Sequence, residues 1–129
     1  MEEAELTERI IGCAMRVHRV LGAGFLESVY QNALRHELGK AGLRVECEKR
    51  IDVRYDGIVV GVFAVDMLVE ERVMIENKSV QGIIPAHEVQ LVNYLTATGI
   101  EIGLLLNFGR ERLEFQRKTR TYRPRHRQD

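Results

Sequence analysis

Residues 64–79, AVDMLVEERVMIENKS, constrain the fold most, because they have the form of a β-hairpin. Two apolar runs, residues 64–69 and 73–75, flank a charged segment at residues 70–72. If the charged segment is the turn, the two runs pair as antiparallel strands. Alternate side chains then share one face, which suits a hydrophobic core. That apolar face comprises Val65, Met67, Val69, Val73 and Ile75.

The opposite face of the predicted hairpin is charged. Val69 pairs with Val73 in this register, so Asp66 lies opposite Glu76, and Lys78 lies two positions further on the same face. Opposed carboxylates destabilise a sheet, so we expect a divalent cation or a raised carboxyl pKa to compensate. Mg²⁺ is commonly held by one or two carboxylates, waters and a substrate phosphate. The cluster therefore predicts a metal-dependent site that cleaves phosphodiesters.

A second interpretation of the charged face remains open at this point. Short motifs of this kind also occur by chance, and a hairpin can carry a solvated charged face. A turn shifted by one residue would also move Asp66 to the opposite face. The rest of the chain has to distinguish the two interpretations.

Composition indicates one globular domain. The chain has 129 residues, of which 45% are hydrophobic and 29% charged. No apolar run is long enough to span a bilayer, and the acidic start, MEEAELTER, lacks a signal-peptide pattern. We therefore expect a cytoplasmic protein that makes no membrane contact. Cys13 and Cys47 form no metal-binding pattern and are expected to be reduced, buried side chains.

Charge is distributed unevenly although the formal net charge is zero. Basic residues accumulate at the end of the chain, and this end can bind phosphates or be a disordered solubilising tail. We expect a single domain over residues 1–117 and a basic tail over residues 118–129. The candidate phosphate contacts among these basic residues are Arg117, Lys118 and Arg120, followed by Arg123, Arg125 and Arg127.

Apolar spacing predicts the element order. Helical periodicity predicts helices over about residues 6–21, 26–40 and 86–98. Strand alternation and turn signals predict strands over about residues 45–55, 58–69, 73–78, 100–107 and 112–116. The order is ααβββαββ, and its strand–helix–strand passage allows a right-handed crossover between parallel strands. The predicted class is α/β, with a mixed sheet flanked by helices.

Polar side chains on two of the helices are candidates for the same site. Glu27 lies in the first turn of the second helix, where the helix dipole favours an acid, and Tyr30 follows on the same face. His87, Gln90 and Tyr94 form a polar stripe on the third helix. We expect His87 to be a structural or capping residue, since hard cations prefer oxygen ligands.

Several collinear strings resemble one known family. Residues 24–30, GFLESVY, resemble the signature of the GxxExxY family, which is placed in the PD-(D/E)XK nuclease superfamily. Similar strings follow in order at residues 66–69, 76–78, 87–95 and 103–109. The resemblance covers roughly residues 6–116 and is far more specific than a single Glu-x-Lys. It implies a restriction-endonuclease-like fold, in which helices flank a mixed sheet.

The resemblance also implies roles for individual residues. Asp66 and Glu76 match the metal-binding acids, and Lys78 matches the catalytic lysine of the superfamily pattern. Glu27 matches a helical glutamate that often completes the metal site, with a catalytic role as well. Gln90 matches a polar, catalytic residue on the helix after the hairpin. The implied cofactor is Mg²⁺ or Mn²⁺, and the candidate substrate contacts, besides the basic residues, are Tyr94 and Tyr30.

Two positions differ from the family pattern. Asn77 stands between the acid and the lysine, where an apolar residue is usual. Its side chain should point to the opposite face, where an amide needs a partner if buried. Residues 63–65, FAV, stand where an arginine usually precedes the first acid, so one phosphate contact of the family is missing.

These observations predict a metal-dependent nuclease acting on nucleic acid, with DNA favoured over RNA. The alternative is a catalytically inactive nucleic-acid-binding or adaptor module on the same fold. An unrelated role is disfavoured by the collinear strings. With no separate recognition domain in the sequence, we expect weak sequence specificity or a partner protein that supplies targeting. A homodimer is also compatible, since cutting both strands often needs two copies of a small domain.

Overall fold

The computed structural model describes residues 1–120. Its elements follow the predicted order ααβββαββ, which is confirmed. The helices are α1 (Glu3–Leu21), α2 (Glu27–Lys40) and α3 (Pro85–Thr98), and the strands are β1 (Val45–Tyr55), β2 (Ile58–Val69), β3 (Val73–Lys78), β4 (Ile102–Asn107) and β5 (Glu114–Thr119).

The five strands form one mixed sheet in the order β1-β2-β3-β4-β5. β3 and β4 are parallel, and every other neighbouring pair is antiparallel. α3 connects the two parallel strands, as the crossover rule requires. The sheet is the mixed one that the sequence predicts.

Helices cover both faces of the central strands. Side chains of α1 and α2 pack with Met67, Ile75 and Leu104 on one face. Side chains of α3 pack with Met74 and Leu105 on the other face. Burial on both faces explains why β4 is a nearly continuous apolar run.

The predicted assignment of Val65 and Met67 to one face is wrong. Met67 packs in the α1–α2 cluster, whereas Val65 packs in the α3 cluster. The side chains of β1 also switch from one face of the sheet to the other at this level. Cys47 packs in the α1–α2 cluster, whereas Ile51 packs in the α3 cluster. Glu48 lies between them with φ 55°. A left-handed residue interrupts the pleat, so side-chain alternation changes phase there.

The last strand extends further than predicted. β5 begins at Glu114 and continues to Thr119, two residues beyond the expected domain boundary at residue 117. Lys118 pairs with Gly103, and Thr119 pairs with Ile102. These residues belong to the sheet, because the first residues of β4 have their antiparallel partners there. The predicted tail therefore begins too early.

Gly109 is expected to be the most sensitive glycine in the fold. A Cβ at this position would overlap the backbone of Val80 and lie 2.7 Å from the backbone carbon of Ser79. Neither segment can yield as a flexible side chain would. Gly109→Ala should lower the free energy of unfolding by about 3 kcal/mol, measured by urea denaturation.

The matched control is Gly12→Ala in α1. A Cβ there meets nothing within 4 Å, and the residue is helical. This substitution should raise the free energy of unfolding by about 0.5–1 kcal/mol, because alanine loses less entropy in a helix. Equal effects of the two substitutions would contradict the packing assigned to Gly109.

Candidate active site

The charged cluster lies where β2 and β3 separate. Their backbone register runs from Val69–Val73 to Met67–Ile75 and ends there. The turn between the strands is therefore the predicted charged segment, residues 70–72. Asp66 and Glu76 are the next residues on the two strands. The sheet thus opens at the position of the two acids.

Each acid is held by the backbone of the opposite strand. The Glu76 carboxylate accepts a hydrogen bond from the Asp66 backbone N–H at 3.0 Å. The Asp66 carboxylate accepts one from the Asn77 backbone N–H at 2.8 Å. These two bonds stand in place of ladder bonds between carbonyls and amides. They leave one oxygen of each carboxylate without a hydrogen bond to residues 1–120.

The two acids carry raised pKa values. The pKa of Glu76 is raised to about 8, mainly by burial and secondly by the charge of Asp66. Burial also raises the pKa of Asp66, and the charge of Glu48 adds to this effect, while the Asn77 amide opposes it. Ionising both acids is therefore unfavourable in the metal-free protein, and a bound cation would favour the ionised forms.

Lys78 supplies a positive charge that acts on both acids. It lowers the pKa of Asp66 and of Glu76, although by less than burial raises them. Its backbone carbonyl accepts a hydrogen bond from the Phe108 N–H at 2.8 Å, which fixes the end of β3 against β4. Within residues 1–120 its ammonium makes no ion pair.

Glu27 affects the pKa of Asp66 less than Glu48 does. It begins α2 and is exposed, and its charge is the last of the causes that raise the pKa of Asp66. In the described part of the chain, no three acidic, histidine or cysteine side chains are grouped closely enough to hold a metal ion. The sequence left Glu27 to bind the metal directly or through a water, and direct binding together with Asp66 and Glu76 is not assembled among the described residues. Two carboxylates with waters and a substrate phosphate still fit Mg²⁺ or Mn²⁺.

Glu48 is a nearby acid that the sequence analysis missed. Its charge raises the pKa of Asp66 and of Glu76. Its carboxylate accepts a hydrogen bond from the Gln31 side chain at 2.9 Å. Its left-handed φ is what a sequence pattern cannot reveal, because a glutamate within an alternating strand is normally extended.

Asn77 points to the face opposite Glu76, as predicted. Its amide nitrogen lies 3.4 Å from the Gln31 side-chain oxygen and 3.3 Å from the Met67 sulfur. The amide oxygen is buried without a hydrogen-bond partner among the described residues. This buried amide connects β3 to α2 on the side of the sheet away from Lys78.

The polar residues of α3 are placed differently from one another. Tyr94 stacks on Phe63 with ring centroids 3.9 Å apart. Burial raises the pKa of Tyr94, and the charges of Glu76 and Asp66 add to this effect. Gln90 is exposed one turn earlier.

His87 has the capping role expected of it. Its Nδ1 accepts a hydrogen bond from the Ile84 backbone N–H at 3.1 Å. This bond satisfies a backbone donor at the first turn of α3. The prediction that His87 is a capping residue is therefore confirmed.

The prediction that Tyr30 contacts substrate is wrong. Its side chain is fully buried and stacks on Phe108 at 4.7 Å. Its hydroxyl donates to the Gly22 carbonyl and accepts from the Phe25 N–H. The tyrosine thus holds the α1–α2 loop, because both hydrogen-bonding roles of the hydroxyl are used inside the protein.

The candidate basic contacts are not brought together. Lys118 forms an ion pair with Glu88, and Arg120 forms one with Glu101. Arg117 is exposed and, being next to Lys118 in β5, points to the other face of the sheet. Arg123, Arg125 and Arg127 lie outside the described residues.

Asn107 is another residue that the sequence analysis missed, and its role is structural. It is fully buried at the end of β4, and its amide oxygen accepts from the N–H groups of Val80 and Gly109, each at 3.0 Å. Its amide nitrogen donates to the Val80 carbonyl at 3.1 Å and to Glu114 at 2.9 Å. The side chain therefore fixes the segment that follows Lys78. An asparagine that ends an apolar strand was the available signal.

Asn107→Asp is expected to lower the free energy of unfolding by about 2–4 kcal/mol. The aspartate loses both donated hydrogen bonds and places a carboxylate against Glu114. The control is Asn93→Asp on the exposed face of α3, which should change stability by less than about 0.5 kcal/mol. Urea denaturation of both variants provides the measurement, and matching midpoints would contradict the role of Asn107.

A surface hollow lies away from the acids. It has a volume of about 580 Å³ and is lined by Gln81 and residues 109–114. None of the predicted catalytic or metal-binding residues lines it. The site is therefore assigned from the arrangement of Asp66, Glu76 and Lys78 and not from the shape of this hollow.

The mixed sheet and the paired acids define a restriction-endonuclease-like domain. The PD-(D/E)XK nuclease superfamily profile matches residues 4–118, and the chain belongs to this superfamily. A solved structure described as "Crystal structure of SSO0001" is similar, with a TM-score of 0.56 and 19% identity. The match covers 75% of this chain and 52% of that one, and at this identity it supports the fold alone.

Two negative findings stand beside these matches. No curated protein matches the chain. Within residues 1–120, no helix has both the length and the apolar character needed to cross a bilayer.

Proposed function

We propose that this protein is a metal-dependent nuclease of the GxxExxY type that hydrolyses phosphodiester bonds in DNA. The observation that carries the proposal is the pair of carboxylates at the opening between β2 and β3. Asp66 and Glu76 are each held by the opposite strand's backbone, with one oxygen of each left for a ligand. Lys78 follows Glu76 by two residues, so a cationic donor lies beside the same opening.

Asp66 and Glu76 are the residues that would hold Mg²⁺ or Mn²⁺. Hard carboxylate oxygens suit these cations, and neutralisation of the two acids favours their ionised forms. Glu27 would act through a water, since it is exposed at the start of α2. A bound divalent ion supplies an acidified water and neutralises charge that develops on the phosphate.

The remaining roles belong to side chains around the acids. Lys78 would donate its ammonium hydrogens to the attacking water or to the phosphate oxygens, where negative charge develops. Tyr94 would position a water or a phosphate through its hydroxyl. Gln90, exposed on the same helix, would contact the nucleic-acid backbone as it approaches α3.

The basic residues of β5 and the residue that follows it are the candidates for contacts with phosphates beyond the one that is cleaved. Arg117 is exposed and able to contact a phosphate. Lys118 and Arg120 would have to leave Glu88 and Glu101 to do so. Location in the cytoplasm and targeting by a partner protein stay predictions.

A second candidate function is a nucleic-acid-binding or adaptor module without useful turnover. The observation that favours it is that residues 1–120 contain no group of three potential metal-ligating side chains. Each acid also has one oxygen already engaged by a backbone amide. Such a protein would keep the fold and the acids without holding a metal tightly.

One experiment separates these two functions. Calorimetric titration with Mg²⁺ and Mn²⁺ is combined with cleavage assays on supercoiled DNA, single-stranded DNA and RNA. The wild type should bind metal and cut DNA, and Asp66→Asn should do neither while remaining folded. Glu8→Gln, an exposed acid on α1, serves as the matched control. A wild type that binds no metal and cuts no substrate would exclude the nuclease and favour the binding module.

A further inference from the structure

The β1–β2 hairpin extends beyond the rest of the sheet. β2 pairs with β3 only over Met67–Val69, whereas it pairs with β1 from Ile58 onwards. Most of β2 therefore has β1 as its one strand neighbour within the described residues. A two-stranded ribbon is marginally stable in water unless further strands or a helix cover it.

Large apolar side chains are exposed on this hairpin. α3 covers part of it, through the stacking of Tyr94 on Phe63. The remainder carries a concentration of apolar side chains that monomeric proteins usually bury or use in protein contacts. The exposed fractions range from 43% to 69% at Tyr55, Ile58, Val59, Val60 and Val62.

β1 is also an edge strand of the sheet. An edge strand presents unpaired backbone N–H and C=O groups that can pair with another strand. No strand other than β2 pairs with β1 among residues 1–120. The hairpin thus combines unsatisfied backbone groups with exposed apolar surface.

Charges on β1 are complementary to themselves in one antiparallel register. If two copies pair about a two-fold axis at Ile51, Arg50 lies opposite Asp52 of the partner subunit, and this pair occurs twice. Glu48 and Arg54 are then brought to the same level. Moving the axis to Arg50 opposes two arginines, and moving it to Asp52 opposes two aspartates. An axis at Val53 also opposes Asp52 and Arg54, but it leaves only residues 51–55 of β1 to pair, whereas the axis at Ile51 pairs residues 47–55. Charge and the length of β1 together favour the axis at Ile51.

We propose that this protein forms a two-fold dimer through antiparallel pairing of its β1 strands, centred on Ile51. The pairing converts each two-stranded ribbon into half of a four-stranded one and joins the two sheets across a shared edge. The Arg54–Asp52 ion pair within one chain, at 3.6 Å and half exposed, is too weak to oppose it. The proposal is independent of the nuclease activity.

Sedimentation of the full chain tests the dimer. The wild type should sediment as a dimer at about 1–100 μM, a range typical of modest interfaces. Arg50→Asp and Asp52→Arg each convert both cross-strand pairs to like charges, and should raise the Kd about tenfold or more. The double variant Arg50→Asp, Asp52→Arg restores opposite charges across the axis and should recover the dimer. The control is Arg19→Asp, which makes the same charge change as Arg50→Asp but lies on α1, outside the hairpin.

Circular dichroism establishes that each variant is folded before its mass is interpreted. Monomeric wild-type protein over this range would overturn the proposal, and the charged edge would then only prevent aggregation. A Kd unchanged from wild type in both single variants would also overturn it. So would a folded double variant that stays monomeric while the wild type is a dimer.

Discussion

Replacing Lys78 by methionine is expected to lower the rate of DNA cleavage by about 10²–10³-fold while metal affinity changes by less than about threefold. Methionine keeps the apolar length of the side chain and removes the ammonium. The charge on the phosphate oxygens grows in the transition state, so the loss falls on the rate and not on ground-state binding. Single-turnover cleavage and calorimetry measure the two quantities separately.

The comparison with Asp66→Asn makes this prediction specific. That variant keeps an acceptor for the Asn77 N–H and removes the charge, so it should lose metal affinity together with cleavage. Lys40→Met, at the exposed end of α2, provides a control for the loss of a lysine. Cleavage by Lys78→Met at the wild-type rate would remove Lys78 from the mechanism and leave the acids as the whole of the candidate site.

The second large effect is a loss of stability as pH rises in metal-free protein. Glu76 has a folded-state pKa of about 8 against an ordinary value of 4.5, because it is buried beside Asp66. Between these values the folded state binds a proton that the unfolded state does not. Stability should therefore fall from about pH 4.5 to about pH 8 and level off above, by on the order of 5 kcal/mol. Asp66, whose pKa is also raised, contributes in the same direction.

Glu76→Gln isolates this contribution. Glutamine still offers an oxygen to the Asp66 N–H and carries no charge, so the difference in stability from wild type should grow with pH and favour the variant near pH 8. Urea denaturation in a chelating buffer across this pH range measures the difference, with Glu8→Gln as the control. A constant difference between the Glu76 variant and the wild type would contradict the raised pKa. Added Mg²⁺ should restore wild-type stability near pH 8 and leave Glu76→Gln unchanged.

The hairpin was predictable because its determinants are local. A charged segment between two apolar runs indicates both the turn and the register, and the register brings Asp66 close to Glu76. The position of Lys78 on the same face as Glu76 follows from strand periodicity alone, because the two residues are two positions apart. The order of elements and the parallel pair also follow from apolar spacing and the crossover rule.

Residues whose placement depends on distant segments were predicted less well. Tyr30 lies in a recognisable motif, yet its hydroxyl is used within the α1–α2 loop and its ring packs on Phe108. Glu27 shares that motif and begins α2, but the packing of α2 leaves it exposed. A motif identifies such residues without stating whether they hold the fold or contact a ligand.

The sequence by itself determined the hairpin, the element order and the candidate pair of acids, because period-two and helical patterns act over a few neighbouring residues. Only the tertiary structure decided that Glu48 adopts a left-handed conformation beside Asp66 and that Asn107 fixes the segment after Lys78. It also placed Lys118 in the sheet, paired with Gly103 and bound to Glu88. These features depend on contacts between segments far apart in the chain, which the pattern within any one segment does not contain.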